Sequence, residues 1–223
     1  VQTCALPISL AKQQVFGTVG IDTLAGPTET VIIADESANP NWVALDLLAQ
    51  AEHDPLAAAI LLTPSRAFAE KVNAEIEKLT TGKPAFSRQA ILDQSLNDRS
   101  GMVIVRDLDE AVELSNLYAP EHLNLVVRQP SDWIPKIEAA GGIFVGERSF
   151  EVLGDYAAGP SHVMPTGGSA RYASPLNVWD FLHIVSLVGL TPEGAVEVAR
   201  ASSVIARMEG LDAHARAAEA RLK

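Results

Sequence analysis

Cysteine is almost missing from this chain. Cys4 stands alone among 223 residues, which excludes an internal disulfide and fits a reducing compartment. Basic residues are also scarce: 17 Lys and Arg face 28 Asp and Glu, for a formal net charge of −11. That balance argues against nucleic acid and anionic membrane as main partners. No apolar run reaches the roughly 18 residues that a bilayer span requires. The opening stretch 1–10 is apolar, but it lacks a basic leader and is too short for a signal peptide. The expected location is therefore the cytoplasm. The sequence contains no G-x-G-x-x-G dinucleotide fingerprint, no H-E-x-x-H, no internal repeat and no low-complexity tract.

What is present is ordinary in bulk, with 48% hydrophobic and 20% charged residues, as expected of a soluble globular protein of one large domain or one and a half. Short β-branched runs alternate with helical patterns. Strands are expected at 30–35, 58–63, 102–105, 122–127 and 143–146. Helices are expected from Pro40 to His53, with Trp42, Leu45, Leu48 and Ala49 on one face, and at 65–79, 108–117 and 131–140. Such alternation predicts an α/β fold, a mostly parallel sheet with helices on both faces. Beyond Pro175 only helix is expected, at 178–187, 192–208 and 211–222. The last of these has a thin apolar stripe and calls for another surface to pack on, its own domain or a second subunit. Residues 146–175 show no periodicity and are dense in Gly, Pro and Ser, a long loop of the kind that often carries function.

Four of the five histidines lie near a carboxylate or amide. Gln50 and His53 are three apart at a helix end and share a face; such a pair can ligate zinc or sit at a solvated C-terminus where imidazole favours the helix dipole. Tyr118-Ala-Pro-Glu-His places Glu121 and His122 at the start of a strand. Both reach one pocket only if the backbone is irregular there, because neighbouring strand side chains point to opposite faces. A Glu and a His together suit successive proton transfers; the alternative is a polar loop without a task. Asp155 and His162 lie on a loop whose glycines, Gly154 and Gly159, free the backbone to bring both inward, or that loop is ordinary surface. Thr28 sits in a turn, Gly26-Pro-Thr-Glu29, that opens a strand. Glu209 and His214 flank Gly210 at a helix–helix corner. His183, within an apolar run, reads as structural.

Taken in order, the strings VGIDTLAGPTE, IADESANPNWVALDLLAQAEHDP, YAPEHL, GDYAAGPSHVMPTGG and EGLDAHA resemble the histidinol dehydrogenase family from about Lys12 to the C-terminus. The resemblance implies a zinc-dependent enzyme that oxidises L-histidinol to L-histidine in two successive hydride transfers to NAD. By motif match, Gln50, His53, Asp155 and His214 are the expected zinc ligands, and Glu121 and His122 the acid–base pair. Thr28, His162, Glu209 and His214 align with substrate contacts, together with Gln50, His53, Glu121 and Asp155. The family usually has Ser where Thr28 stands, so the hydroxyl is kept. The resemblance also implies a homodimer whose helical tail reaches the neighbouring site.

Family members are about twice this length, and most residues expected to contact NAD would lie upstream. The expectation is therefore an incomplete Rossmann-like catalytic domain at 12–176 and a helical dimerisation tail at 177–223, with an unmatched segment at 1–11. On that reading the isolated chain is inactive. Rival readings are a non-catalytic zinc- or ligand-binding relative, a dehydrogenase of another amino or secondary alcohol, and a metal-dependent hydrolase. The absence of H-E-x-x-H and the order of the motifs weigh against the last.

Overall fold

In the computed structural model, residues 5–82 and 85–222 are described; Cys4 and the rest of the 1–4 stretch lie outside them. A helix absent from the sequence expectations, α1 (Ala5–Val15), comes first. Five strands follow: β1 (Glu29–Ala34), β2 (Ala58–Thr63), β3 (Gly101–Ile104), β4 (His122–Val126) and β5 (Gly142–Val145). All neighbours pair in parallel, in the order β3-β2-β1-β4-β5. The strands are β-branched and leucine-rich because β1 and β4 are covered on both faces, where a buried parallel strand reads as a continuous apolar run.

On one face Ile32, Ala34, Leu61 and Val126 pack against α2 (Pro40–Ala51), α3 (Arg66–Thr81) and α4 (Gln89–Asp98) through Val43, Leu47, Phe68, Val72 and Leu92. On the other, Val31, Ile33, Leu123 and Leu125 meet Ala111 and Val112 of α5 (Leu108–Tyr118), with Trp133 and Ile137 completing the layer. The α/β fold with helices on both faces is thus observed. Capping follows the sequence. Asn39 accepts from the Asn41 and Trp42 amides with Pro40 in the first turn, Ser65 caps α3 through the Phe68 amide and Asp107 caps α5 through the Glu110 amide.

Several expectations fail for identifiable reasons. The buried face of α2 is Val43, Ala44, Leu47, Leu48, Gln50 and Ala51, while Trp42 and Leu45 are exposed. The helix docks through Val43, Leu47 and Leu48, with Ala44 and Ala51 between them. The 131–140 helix is replaced by two 3₁₀ turns, Pro130–Asp132 and Ile134–Lys136; Pro135 lacks the N–H an α-helix needs there. The 146–175 segment is not all loop: α6 (Glu151–Tyr156) lies in it and carries Asp155. The 178–187 helix is a single 3₁₀ turn, Val178–Phe181, followed by irregular chain, and His183 is exposed within it. α4 fell in a stretch the periodicity reading left unassigned.

The chain divides into two compact units, Val1–Phe181 and Leu182–Lys223. The second holds α7 (Pro192–Met208) and α8 (Asp212–Glu219), packed on each other and turned at Gly210, whose φ is +73°. Arg207 joins them by pairing with Glu219. Its buried residues are small: Ala199, Ser203, Ala206 and Ala215.

Candidate active site

The Glu121–His122 pair is delivered by an irregular corner. α5 ends at Ala119 in the left-handed region (φ 56°), which among the described residues is the one non-glycine with positive φ. Pro120 follows and bars further helix. The Gly141 and Gly142 amides then donate to the Pro120 and Glu121 carbonyls, opening β4 beside β5. A Cβ at Gly141 would lie 2.6 Å from the Glu121 carbonyl oxygen, so glycine permits this approach. The corner turns both side chains to one place: His122 Nδ1 is 3.9 Å from Glu121 Oε2.

Around His122 the strands supply further polar groups. Register pairs Thr30 with His122 and His122 with Gly142. The Thr30 hydroxyl is 3.5 Å from His122 Nδ1 and donates to the Glu151 carboxyl at the head of α6. Glu151 Oε1 is 3.6 Å from His122 Nδ1. Phe144 of β5 lies against the ring at 5.9 Å, tilted 54°. The pair is deeply buried, His122 4% and Glu121 8% exposed, with Glu151 at 3%. Among the described residues His122 Nε2 and Glu121 Oε2 have no hydrogen-bond partner, and neither do the side-chain atoms of Asn124, two residues along the same face of β4. Buried polar atoms without partners are costly and ask for a role.

Burial moves these groups toward their neutral forms. It raises Glu121 to about 8, against the Thr28 hydroxyl and the Glu29 backbone, with Glu29 and Asp155 adding repulsion. It raises Glu151 to about 8 against the Thr30 hydrogen bond. It lowers His122 to about 4, helped by His53. A neutral imidazole beside a carboxyl that ionises near neutrality can accept and relay protons.

A second group of donors lies beside this cluster. Gln50, fully buried at the end of α2, has its amide 3.2 Å from the Thr28 hydroxyl. His53 follows two residues past the helix end, its amide bonded to the Gln50 carbonyl. His53 Nε2 lies 4.0 Å from Asp155 Oδ2, within the span of two zinc bonds of about 2.1 Å each. An amide oxygen, an imidazole nitrogen and a carboxylate oxygen form a donor set that suits zinc. The structure thus brings Thr28, Gln50, His53 and Asp155 to the same side of the first unit as Glu121 and His122. His162 is exposed in the following loop. Glu209 and His214 are exposed in the second unit, at the end of α7 and in α8. Among the described residues no three His, Cys, Asp or Glu side chains gather closely enough to hold an ion by themselves.

Thr28, Thr30, Glu121 and His122 stand at the amino ends of β1 and β4, not at the carboxyl ends where open α/β sheets usually place ligands. The α2 helix and α6 return to that edge and bring Gln50, His53, Glu151 and Asp155 with them. Sequence reasoning missed Thr30, Asn124 and Glu151. For Glu151 the available signal is its i, i+4 spacing to Asp155, one helix face within a segment that otherwise reads as loop.

A family model described as "Histidinol dehydrogenase" matches residues 6–222. The histidinol dehydrogenase of Dechloromonas aromatica is 48% identical over 216 residues, 97% of this chain and 49% of that protein. That of Pseudomonas fluorescens is 47% identical over 97% of this chain and 48% of its own length. The crystal structure of histidinol dehydrogenase from Elizabethkingia anophelis superposes with a TM-score of 0.86 at 38% identity, covering 96% of this chain and 49% of that one. The chain spans about half the length of the curated relatives it matches. On this agreement of sequence and fold, the chain belongs to the histidinol dehydrogenase family.

Proposed function

We propose that this chain carries the metal-holding and acid–base half of a zinc- and NAD-dependent histidinol dehydrogenase that converts L-histidinol to L-histidine by two successive hydride transfers. The observation that carries the reading is the buried Glu121–His122 pair, whose Oε2 and Nε2 lack protein partners and which stands beside Gln50, His53 and Asp155. Neutral His122 takes the alcohol proton as hydride leaves. Glu121, raised to about 8, takes a proton from the water that adds at the aldehyde level, so that a second hydride can depart.

Gln50, His53 and Asp155 would hold zinc, with His214 as the fourth ligand. The ion, when bound, gives the substrate's amino and imidazole nitrogens a fixed anchor. Thr28, His162 and Glu209 complete the substrate contacts. We assign Glu209 and His214 of each chain to the partner subunit's site in a cytoplasmic homodimer. The sequence has no glycine-rich phosphate cradle, so no residue of this chain is assigned to NAD. The chain alone is accordingly inactive.

The test is NADH formation with L-histidinol, followed by absorbance, for this chain and for a full-length version built with the missing half. Turnover by the full-length protein and none by the chain is expected. A full-length protein that binds zinc yet never reduces NAD with histidinol would sink the proposal.

A further inference from the structure

Glu151 has no part in the acid–base scheme above, yet it is the carboxyl nearest the ring of His122, at 3.6 Å from Nδ1 against 3.9 Å for Glu121. It is 3% exposed. A carboxyl is not buried so deeply at a helix start without a partner that needs it. Its other oxygen accepts the Thr30 hydroxyl proton. A hydroxyl has one proton to donate. With that proton on Glu151, Thr30 can offer only a lone pair toward Nδ1, 3.5 Å away. With Glu151 ionised, two acceptors therefore face the same ring nitrogen, the Glu29 backbone also lies against the ring, and Nε2 has no hydrogen-bond partner among the described residues. Phe144 closes against the ring and limits its rotation. The remaining charged groups around the cluster are Glu121, Asp155, Asp46 and His53; among the described residues no lysine or arginine forms an ion pair with Glu151.

We propose that Glu151 is a positioning residue for His122: with Thr30 it holds the ring proton on Nδ1 and leaves Nε2 as the nitrogen that accepts the substrate's proton. This rests on the reading of His122 as the proton acceptor. When the alcohol O–H proton moves to Nε2 and hydride passes to the oxidised nicotinamide, the ring becomes an imidazolium with both nitrogens protonated. Above about pH 8, where Glu151 is ionised, its carboxylate then meets the Nδ1–H, a charge-assisted contact that strengthens as the reaction proceeds. Glu121 stays free to handle water.

The experiment uses the full-length protein. Wild-type turnover of L-histidinol comes first; its absence would count against the function and not against this inference. Histidine labelled with ¹⁵N then reports the tautomer of His122 by NMR above about pH 8, where Glu151 is ionised, without substrate or cofactor, assigned by comparison with His122→Ala. The wild type is expected to show Nδ1–H. In Glu151→Gln the amide can donate to Nδ1, so the signal should move to Nε2–H. kcat should then fall about 10²–10⁴-fold, the range for loss of a general base, with KM and zinc content near wild type. Glu151→Asp, which keeps the charge, should recover part of kcat. If Glu151→Gln does not fold, Thr30→Val carries the same reading, with a smaller loss of kcat and a mixed tautomer. Wild-type kcat together with an unchanged Nδ1–H signal in either folded variant overturns the proposal.

Discussion

Glu121 shows most clearly how burial sets chemistry at a single residue. A carboxyl on a surface loses its proton far below neutrality and makes a poor base at pH 7. Here burial lifts it to about 8, so it is half-ionised at mildly alkaline pH, where a base is most effective. The sign is fixed by the role: the base must be a carboxylate, so activity rises as pH climbs through about 8. His122, held down to about 4, is neutral throughout that range and adds no inflection. The pH profile of kcat/KM for the full-length enzyme should therefore carry an ascending limb near 8. Glu121→Gln should lower the rate by about 10²–10⁴-fold and flatten that limb, leaving only the part that Glu151, also raised to about 8, contributes. A limb undiminished in the Gln variant would assign it to another group.

Elements matter here through where they stop. β4 begins at His122 because α5 ends in the left-handed Ala119, Pro120 blocks continuation, and Gly141 lets the next strand approach the Glu121 carbonyl. Gly141→Ala forces a Cβ to within 2.6 Å of that oxygen, and backbone must give way. The expected cost is about 1–3 kcal/mol of stability, as for other overpacked sites. A drop in activity should accompany it, because Glu121 and His122 move with the strand. Thermal melts and turnover on the same full-length variant check it, and an unchanged kcat would show that the corner tolerates displacement.

The strands at 30–35, 58–63 and 122–127 were legible in sequence because parallel strands buried on both faces are written as apolar runs. The motifs singled out Gln50, His53 and Asp155, which the fold brings to one side of the sheet. Glu151 was not legible, because α6 is six residues long and too short to show a period. The helix expected at 131–140 gives way to two 3₁₀ turns because Pro135 interrupts it. The amino-end location was invisible because it depends on how α2 and α6 return to the sheet, which no local pattern records.

For the whole molecule, the question is which chain completes which site. The second unit buries only small residues, while Ile184, Val185, Leu187 and Val188 are 75–96% exposed. Apolar surface on that scale is uncommon on a solvated face and marks an interface. The proposed homodimer supplies one, and it makes a prediction that no single-chain arrangement shares. His214→Ala damages only the tail, and His122→Ala only the acid–base pair. Each variant alone should be nearly inactive. If the tail serves its own chain, mixing them restores nothing, since every site keeps one defect. If it serves the partner, a mixed dimer of two-fold symmetry has one site built from the intact pair of one chain and the intact tail of the other. With random exchange half the dimers are mixed and half their sites are whole, so a 1:1 mixture should recover about a quarter of wild-type activity. The measurement is histidinol-dependent NADH formation after the two full-length variants are dissociated and reassociated together. Recovery near zero, with mixed dimers verified by mass, would place the tail in its own chain's site.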